Sequence, residues 1–282
     1  MMHRVLVLGA GKIGSLIACL LNQRGQYEVH LGDMTLDAPK HLVEELSLER
    51  VTPCLLDVRH PDAVGTYLSA HRFDAVLSSL PYFCNPTVAG LALTHHLHYF
   101  DLTEDVEVTN QIKVLSTGAT HAFMPQCGLA PGFISIVAHE LMTHFETLDT
   151  VKMRVGALPV HPSNALKYSL TWSTDGLINE YGNVCYGIEQ GEKVPLQPLE
   201  GYETIELDGL LYEAFNTSGG LGTLADSYEG KVRTMNYKTL RYPGHCEKIQ
   251  LLMKDLKLNE DRGTLKRVLE HAVSQTLQDV VL

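Results

Sequence analysis

A strand, a glycine-rich turn and a helix follow one another at the start of the chain, and this succession restricts the fold more than any other feature. Residues 5–8 are an unbroken apolar run of strand length, residues 9–14 read GAGKIG, and residues 15–22 have the composition of a helix. A GxGxxG turn between a strand and a helix is the fingerprint of a Rossmann fold. We therefore expect a nicotinamide dinucleotide to bind at this turn.

Each residue of the turn has an expected part in holding the cofactor. Gly9 permits the tight turn, Gly11 lets the backbone approach the pyrophosphate, and Gly14 lets the helix pack closely on the strand. Lys12 and Ile13 lie where the N–H groups of the helix N-terminus face the phosphates and the helix dipole favours negative charge. A glycine-rich turn that binds nothing is the alternative interpretation.

The acid that follows the second strand bears on the choice of cofactor. An apolar strand at residues 28–31 leads to Asp33, about 20 residues beyond the glycines, where a carboxylate accepts hydrogen bonds from the adenosine ribose. The same carboxylate would repel a 2′-phosphate, and Met34 and the residues after it include no arginine that would reverse this. The sequence therefore predicts NAD, with NADP as the alternative.

Strands and helices continue to alternate to residue 124, which predicts an α/β fold with a doubly wound parallel sheet. The expected strands are residues 51–56, 75–77, 98–102 and 120–124, and the expected helices are residues 61–71, 85–95, with Asn85 as the cap, and 106–117. Ligands bind beyond the carboxyl ends of such strands. We expect Asp57 and Val58 near the adenine, Ser78, Ser79, Leu80 and Pro81 beside the ribose and pyrophosphate, and Asp101 and Glu104 near the nicotinamide or substrate.

After residue 133 the pattern changes to one typical of a second, mixed α/β domain. The expected elements are a helix at residues 134–144, strands at 150–157, 168–171, 184–188 and 203–207, and helices at 246–256 and 263–276. We predict a Rossmann domain at residues 1–130, a substrate and dimerisation domain at 131–245, and C-terminal helices at 246–282.

Composition excludes several classes of function. The net charge of −11 argues against nucleic-acid and membrane partners, and no apolar run approaches the length of a membrane helix. None of the six cysteines forms a CxxC pair, and no signal peptide is apparent, so we expect reduced thiols in the cytoplasm. His95, His96 and His98 have no carboxylate or thiol at ligand spacing, so no metal is expected.

Six stretches of the chain resemble the saccharopine dehydrogenase-like reductases, and most closely the lysine 6-dehydrogenases. They are VLGAGKIG (7–14), YFDLTED (99–105), CGLAPG (127–132), GLINEY (176–181), EAFNTSGGLGTL (213–224) and NYKTLRYPGHCEKI (236–249). The resemblance implies a Rossmann domain, a mixed domain with substrate contacts and a dimer interface, and a C-terminal segment, residues 246–282, that returns to the first domain. It also implies NAD- or NADP-dependent chemistry at a carbon–nitrogen bond of an amino acid.

Oxidation of an amine requires a base near the cofactor, and the substrate's carboxylate requires a cation. Asp101 and Glu104 are the candidate acids; alternatively Asp101 caps a turn and Glu104 is solvated. Lys238 and Arg241 are candidates to anchor the carboxylate and His245 to assist proton transfer, in a segment interpreted as a loop; a basic surface loop is the alternative.

Two further residues of the second domain have competing interpretations. Glu180 binds the substrate amine or lies on a solvated helix face. Trp172, the one tryptophan, is expected to pack in the core; lining the substrate pocket is the alternative.

The leading hypothesis is a lysine 6-dehydrogenase-like oxidoreductase. Hydride passes from C6 of lysine to NAD, and the product is the semialdehyde or its cyclic imine. Alternatives are a saccharopine reductase, a carboxynorspermidine-type reductase and a non-catalytic NAD-binding protein. Between residues 150 and 230 only Arg154 is an arginine, which favours the smaller substrate. Residues 277–282 end on an apolar run where relatives continue, so we expect a shortened chain.

Overall fold

The computed structural model describes residues 2–273 and the backbone of residues 280–281. The chain divides into two compact units, Met1–Gly128 and Leu129–Leu282, which are described one at a time. Most of the apolar run at residues 277–282, and residues 274–276 of the last predicted helix, lie outside the described residues.

The first unit alternates strands and helices along its whole length. Its elements are β1 (His3–Leu8), α1 (Lys12–Arg24), β2 (Tyr27–Asp33), α2 (Asp37–Glu45), β3 (Val51–Leu55), α3 (Pro61–His71), β4 (Ala75–Ser78), a 3-10 turn (Tyr82–Cys84), α4 (Asn85–Thr94), β5 (His98–Asp101), α5 (Val106–Leu115) and β6 (Phe123–Met124). The six strands are parallel in the order β3-β2-β1-β4-β5-β6. This order confirms the predicted α/β fold.

The apolar run of β1 is buried on both faces of the sheet. Leu6 and Leu8 belong to one core cluster, whereas Val5 and Val7 belong to another. Because successive strand residues point to opposite faces, a strand covered on both sides reads as continuously apolar. The turn that follows β1 is therefore held at the carboxyl edge of a central, fully covered strand.

Two local details of the first unit differ from the sequence expectations. Helix α2 was not predicted. Asn85 is the first residue of α4 and not its cap, because its side chain accepts a hydrogen bond from Ser78 Oγ at 2.7 Å instead of bonding the helix backbone.

The second unit has a mixed sheet with helices. Its elements are α6 (Phe133–Met142), β7 (Leu148–Val155), β8 (Leu158–Pro159), α7 (Thr174–Gly182), β9 (Cys185–Glu189), β10 (Glu192–Leu196), β11 (Glu203–Leu207), β12 (Leu210–Asn216), α8 (Leu224–Tyr228), β13 (Val232–Arg241), α9 (His245–Gln250), a π-helical turn (Leu251–Asp255), α10 (Arg262–Ala272) and β14 (Val280–Val281). The sheet has the order β10-β9-β13-β12-β11 with antiparallel neighbours, and β7 pairs with β13 in parallel. Strand β14 pairs with β8.

The strand predicted at residues 168–171 is absent from the described structure. Asn164 occupies both backbone groups of Tyr168, accepting from its N–H at 3.3 Å and donating to its carbonyl at 2.6 Å. A side chain thus supplies the hydrogen bonds that a neighbouring strand would otherwise provide. The longest strand, β13, was not predicted as a strand.

Two features fix the packing of this second unit. Residues 246–273, expected to return to the first domain, bury Cys246, Ile249 and Leu265 in a cluster with Leu177 of α7. Elsewhere the backbone at Gly220 lies against the ring of a buried tyrosine. A Cβ atom at Gly220 would come within 2.2 Å of Tyr237, so a residue without a side chain is required there.

Candidate functional site

The glycine turn of the first unit has the geometry that its sequence predicts. Gly9 has φ +99°, a left-handed conformation that favours glycine. A Cβ atom at Gly14 would lie 1.8 Å from the carbonyl oxygen of Gly9, so only glycine lets α1 begin this close to the turn. At Gly11, by contrast, a Cβ atom would meet no atom within 4 Å. The backbone at Gly11 is therefore open on the side where a pyrophosphate is expected.

Asp33 lies beside the glycine turn and is bonded to it. One carboxylate oxygen, Oδ2, accepts a hydrogen bond from the N–H of Ala10 at 2.8 Å. The other, Oδ1, accepts from the N–H of Thr35 at 3.3 Å. Since each carboxylate oxygen has two lone pairs, both oxygens keep an acceptor position for a ribose hydroxyl. The exposed side chain of Met34 follows directly.

The end of β4 adjoins the glycine turn. A Cβ atom at Gly9 would come within 2.8 Å of the carbonyl oxygen of Ser79 and 3.2 Å of Leu80. The N–H of Ser79 also donates to the carbonyl of Leu8. Ser78 is different, because its buried hydroxyl is used by Asn85. Of the predicted strand-end residues, Ser79 and Leu80 are therefore the ones in direct contact with the turn.

At the end of β3, Asp57 forms an ion pair with Arg59. The guanidinium donates from Nε and Nη2 to the carboxylate, and the N–H of Arg59 also donates to Oδ1. These hydrogen bonds lower the pKa of Asp57 to about 2, so its carboxylate is ionised. The charge of Arg59 is thus already neutralised. Val58, the other residue predicted near the adenine, is partly buried against the first unit's core.

Asp101, at the end of β5, is fully buried and bonded by its own domain. Its carboxylate accepts from the Tyr99 hydroxyl at 2.6 Å and from the N–H groups of Thr103 at 2.9 Å and Gln126 at 3.0 Å. Burial raises its pKa despite these bonds. The geometry matches the alternative in which Asp101 caps the following turn. Glu104 is half-buried in the segment between β5 and α5.

In the second unit, Lys238, Arg241 and His245 do not lie on a surface loop. Lys238 and Arg241 are on β13, and His245 is the first residue of α9. Arg241 and His245 are only 4% and 1% exposed, which overturns the interpretation as a basic loop. The sequence pattern missed this because a charged residue in a central strand is rare unless a partner elsewhere in the chain neutralises it.

That partner is Glu180 of α7, and the pair belongs to a continuous buried network. Glu180 accepts from Arg241 at 3.4 Å and from the Thr239 hydroxyl at 2.5 Å. Arg241 Nε also donates to the Tyr181 hydroxyl at 2.7 Å. Glu180, 8% exposed, is therefore not on a solvated helix face. The indole of Trp172 packs against the same core, as predicted.

The network ends at His245, both of whose ring nitrogens are bonded. Nδ1 lies 2.7 Å from the carbonyl of Leu166, and Nε2 lies 3.0 Å from the hydroxyl of Tyr181. A carbonyl only accepts, so Nδ1 carries the proton and Nε2 accepts from the tyrosine. Burial, aided by the charge of Arg241, lowers the pKa of His245 to about 3. The imidazole is therefore neutral and held in one tautomer.

Sequence reasoning also missed Glu213 of β12, a buried carboxylate with a clear structural part. It accepts from the N–H groups of Gly244 at 2.8 Å and Cys246 at 2.5 Å, at the start of α9. Negative charge at a helix N-terminus is favoured by the exposed N–H groups and the dipole. No local pattern signals this, because the cap comes from a distant strand.

Two features are absent from the described residues. Within residues 2–273, no three His, Cys, Asp or Glu side chains are grouped in a way that could hold a metal ion. No helix in the same part of the chain is long and apolar enough to cross a membrane.

Comparison with known proteins identifies the family. Residues 5–122 match the model described as "Saccharopine dehydrogenase NADP binding domain", and residues 128–280 match "Saccharopine dehydrogenase C-terminal domain". The chain belongs to the saccharopine dehydrogenase family. Its first unit is thus an NAD(P)-binding domain, and the open turn at Gly11 fits a dinucleotide.

Individual relatives are more distant and longer than this chain. The mouse (Mus musculus) mitochondrial alpha-aminoadipic semialdehyde synthase is 27% identical over 62% of this chain, but that stretch is only 19% of the mouse protein. Saccharopine dehydrogenase (L-Glu forming) from Saccharomyces cerevisiae has the same fold, with a TM-score of 0.69 at 20% identity over 89% of this chain and 57% of the yeast chain. An NAD-binding oxidoreductase from Klebsiella pneumoniae has a TM-score of 0.51 at 10% identity, over 86% of this chain and 68% of that chain.

Proposed function

We propose that the protein is an NAD(P)-dependent oxidoreductase that acts on a carbon–nitrogen bond of an amino acid, with lysine as the first candidate substrate. The observation that carries the proposal is the glycine turn joined to Asp33, in a chain whose two parts both match the saccharopine dehydrogenase family. The cofactor supplies a hydride acceptor. Membership of the family is our reason to propose that the bond oxidised is a carbon–nitrogen bond of an amino acid.

For lysine, the reaction needs few groups from the protein. The ammonium on C6 loses a proton to a base, the C6–H bond breaks as hydride leaves, and a carbon–nitrogen double bond forms. Water then adds to C6 and ammonia leaves to give the semialdehyde, or the α-amino nitrogen adds to C6 and ammonia leaves to give the cyclic imine. Glu104 is our candidate base. We assign Asp101 to positioning, since its carboxylate holds Thr103 and Gln126 through their backbones.

The substrate-anchoring part proposed for Arg241 needs revision, whereas that of Lys238 stays a prediction. Arg241 is bonded to Tyr181 and Glu180, and Lys238 lies 3.1 Å from Glu203. His245 is a poor proton-transfer group because it is buried and neutral. We therefore propose that Arg241 and His245 shape the domain and do not react.

NAD is the cofactor we propose over NADP. A 2′-phosphate beside Asp33 would meet a carboxylate, and Arg59, a cation that follows the neighbouring strand β3, is paired with Asp57. The family model that matches the first unit is named for NADP. Comparing the binding of NAD and NADP therefore tests the preference that we propose.

A second candidate substrate is saccharopine, because both matching family models are named for saccharopine dehydrogenase. Saccharopine has two more carboxylates than lysine. The second unit has five arginines, and each makes at least one hydrogen bond within that unit. Only Arg154 keeps a buried nitrogen without a partner among the described residues. This supports the smaller substrate.

We further propose a cytoplasmic homodimer, on the family resemblance and the reduced cysteines alone.

The test is a turnover assay of the full chain with NAD and with NADP. Lysine, saccharopine, ornithine and carboxynorspermidine are supplied separately, and absorbance of the reduced nicotinamide is followed. We expect turnover with lysine and NAD. Turnover with saccharopine alone would replace lysine as the substrate. NAD binding without turnover on any amine would favour the remaining alternative, a non-catalytic NAD-binding protein.

A further inference from the structure

Three cationic side chains share one face of the second unit's sheet. Arg154 of β7 and Lys238 of β13 are direct partners in the strand register, and Lys152 lies two residues before Arg154. Residues two apart on a strand project from the same face. In a chain with a net charge of −11, such a cationic cluster is unusual.

One carboxylate offsets part of this charge. Glu203 of β11 accepts from Arg154 Nε through Oε1 and lies 3.1 Å from Lys238 Nζ through Oε2. Burial alone would raise the pKa of Glu203, but the hydrogen bonds from both cations lower it below its ordinary value. Glu203 is therefore ionised, and the cluster keeps a net positive charge.

The guanidinium of Arg154 has one nitrogen without a partner. Nη1 donates to the carbonyl of Met153 and to Oδ1 of Asn236, each at 2.8 Å. Nη2 is buried and has no hydrogen-bond partner among the described residues. Because arginine only donates, the amide oxygen of Asn236 must face it, which leaves the amide nitrogen as a further donor beside the cluster.

The donors match a small acid. A guanidinium is planar and pairs best with a carboxylate or phosphate oxygen. The side chains of Arg154 and Lys238 are only 13% and 12% exposed, so we expect the group that binds here to be narrow and to end in its carboxylate.

We propose that Lys152, Arg154, Asn236 and Lys238 form a binding site for a small carboxylate. Nη2 of Arg154 donates to one carboxylate oxygen, the amide nitrogen of Asn236 donates nearby, and the two lysines supply charge. This inference is independent of the proposed reaction, because it concerns a site that contains no cofactor-binding residue.

Calorimetry of the full chain without cofactor tests the site, with acetate, glutarate, lysine and inorganic phosphate as separate probes. We expect a carboxylate to bind and to raise the melting temperature. Arg154→Lys keeps the positive charge but removes the planar guanidinium and its several N–H donors. It should weaken carboxylate binding at least about tenfold. Arg233→Lys is the matched control, since Arg233 is on the same strand β13 but is already paired with Asp149. It should leave carboxylate binding unchanged.

A second variant guards against a folding defect in Arg154→Lys. Lys152 is exposed, so Lys152→Gln should fold normally and weaken carboxylate binding by a smaller factor. Three results would overturn the proposal: no carboxylate binds, the Arg154 and Arg233 variants bind equally well, or phosphate binds as tightly as carboxylates and salt abolishes both. Sedimentation measures the oligomeric state of the wild-type chain and of Arg154→Lys. If Arg154→Lys dissociates an oligomer and no small acid binds, the carboxylate comes from a second copy of the chain.

Discussion

The glycine turn of the first unit and the buried network of the second are built in opposite ways. The turn is six consecutive residues, and its backbone conformation determines its shape. Open space beside Gly11 matters as much as the close packing of Gly14 on Gly9. The network joins α7, β13 and α9 through side chains of Glu180, Arg241 and His245. A site made from contiguous backbone can be recognised in a sequence. A site made from side chains on three elements can be recognised only once the chain has folded.

Two alanine substitutions in the glycine turn distinguish the position that needs open space, Gly11, from the position that needs close packing, Gly14. Gly14→Ala puts a Cβ atom 1.8 Å from the carbonyl of Gly9, so the helix must shift. We expect loss of measurable NAD binding and a destabilisation of about 1–3 kcal/mol or more. Gly11→Ala meets no protein atom, so it should leave the melting temperature unchanged and weaken NAD binding only. Equal melting temperatures for both variants would contradict the geometry.

In the second unit, the corresponding experiment removes one charge from the buried pair. Glu180→Gln leaves the guanidinium of Arg241 buried without a carboxylate, and the new amide hydrogens face its donors. The expected destabilisation is about 3–5 kcal/mol by chemical denaturation. Asp149→Asn is the control, because it breaks an arginine pair that is 62% and 69% exposed and should not change stability measurably. Similar effects from the two variants would show that burial does not govern the network.

The pH dependence of stability tests the neutral state of His245. Its pKa in the folded protein, about 3, lies below the ordinary value of 6.5. As the pH falls below 6.5, the unfolded chain therefore binds a proton that the folded chain does not. His245 should contribute a loss of about 1.4 kcal/mol per pH unit between 6.5 and about 3.

The difference in slope between wild type and His245→Gln isolates this contribution, because other groups titrate in both proteins. Exposed His41 offers a control, and His41→Gln should keep the wild-type slope. An unchanged slope in His245→Gln would mean that the imidazole is solvated and not locked between Tyr181 and Leu166.

The smallest expected effect is a change of cofactor preference at Asp33. Asp33→Asn retains an oxygen that can accept from the N–H of Ala10, so the turn should stay folded. It removes the charge that would repel a 2′-phosphate. We expect weaker NAD binding and improved relative use of NADP, about tenfold or less, from binding titrations with each cofactor. If the ratio does not move, Asp33 has only its structural bond to the turn.

Features formed by contiguous residues could be predicted from the sequence, whereas features formed by side chains on separate elements could not. Helix α3 was predicted at both ends, and the proline at its first position is a local signal for its start. The parallel sheet followed from the alternation of elements. Strand β13 could not be predicted, because Lys238 and Arg241 make it look polar. Their burial is tolerable only through Glu203 and Glu180, which lie on other elements.

The candidate site divides likewise. The neighbours of the glycine turn, Asp33 and Ser79, were predicted because each is the residue at or just after a strand end in a repeating βα unit. The buried carboxylate of Glu213 was not, because capping of α9 from β12 has no trace in either segment alone.

The contact between Gly220 and the ring of Tyr237 limits how this chain can diverge. A side chain at 220 and an aromatic ring at 237 exclude one another. Position 220 cannot gain a side chain while the ring at 237 is retained, although the two positions are separated by helix α8 and belong to different segments of sequence. In descendants of this chain, a larger residue at 220 should therefore appear only together with a smaller one at 237. An alignment of relatives would show the two as a correlated pair.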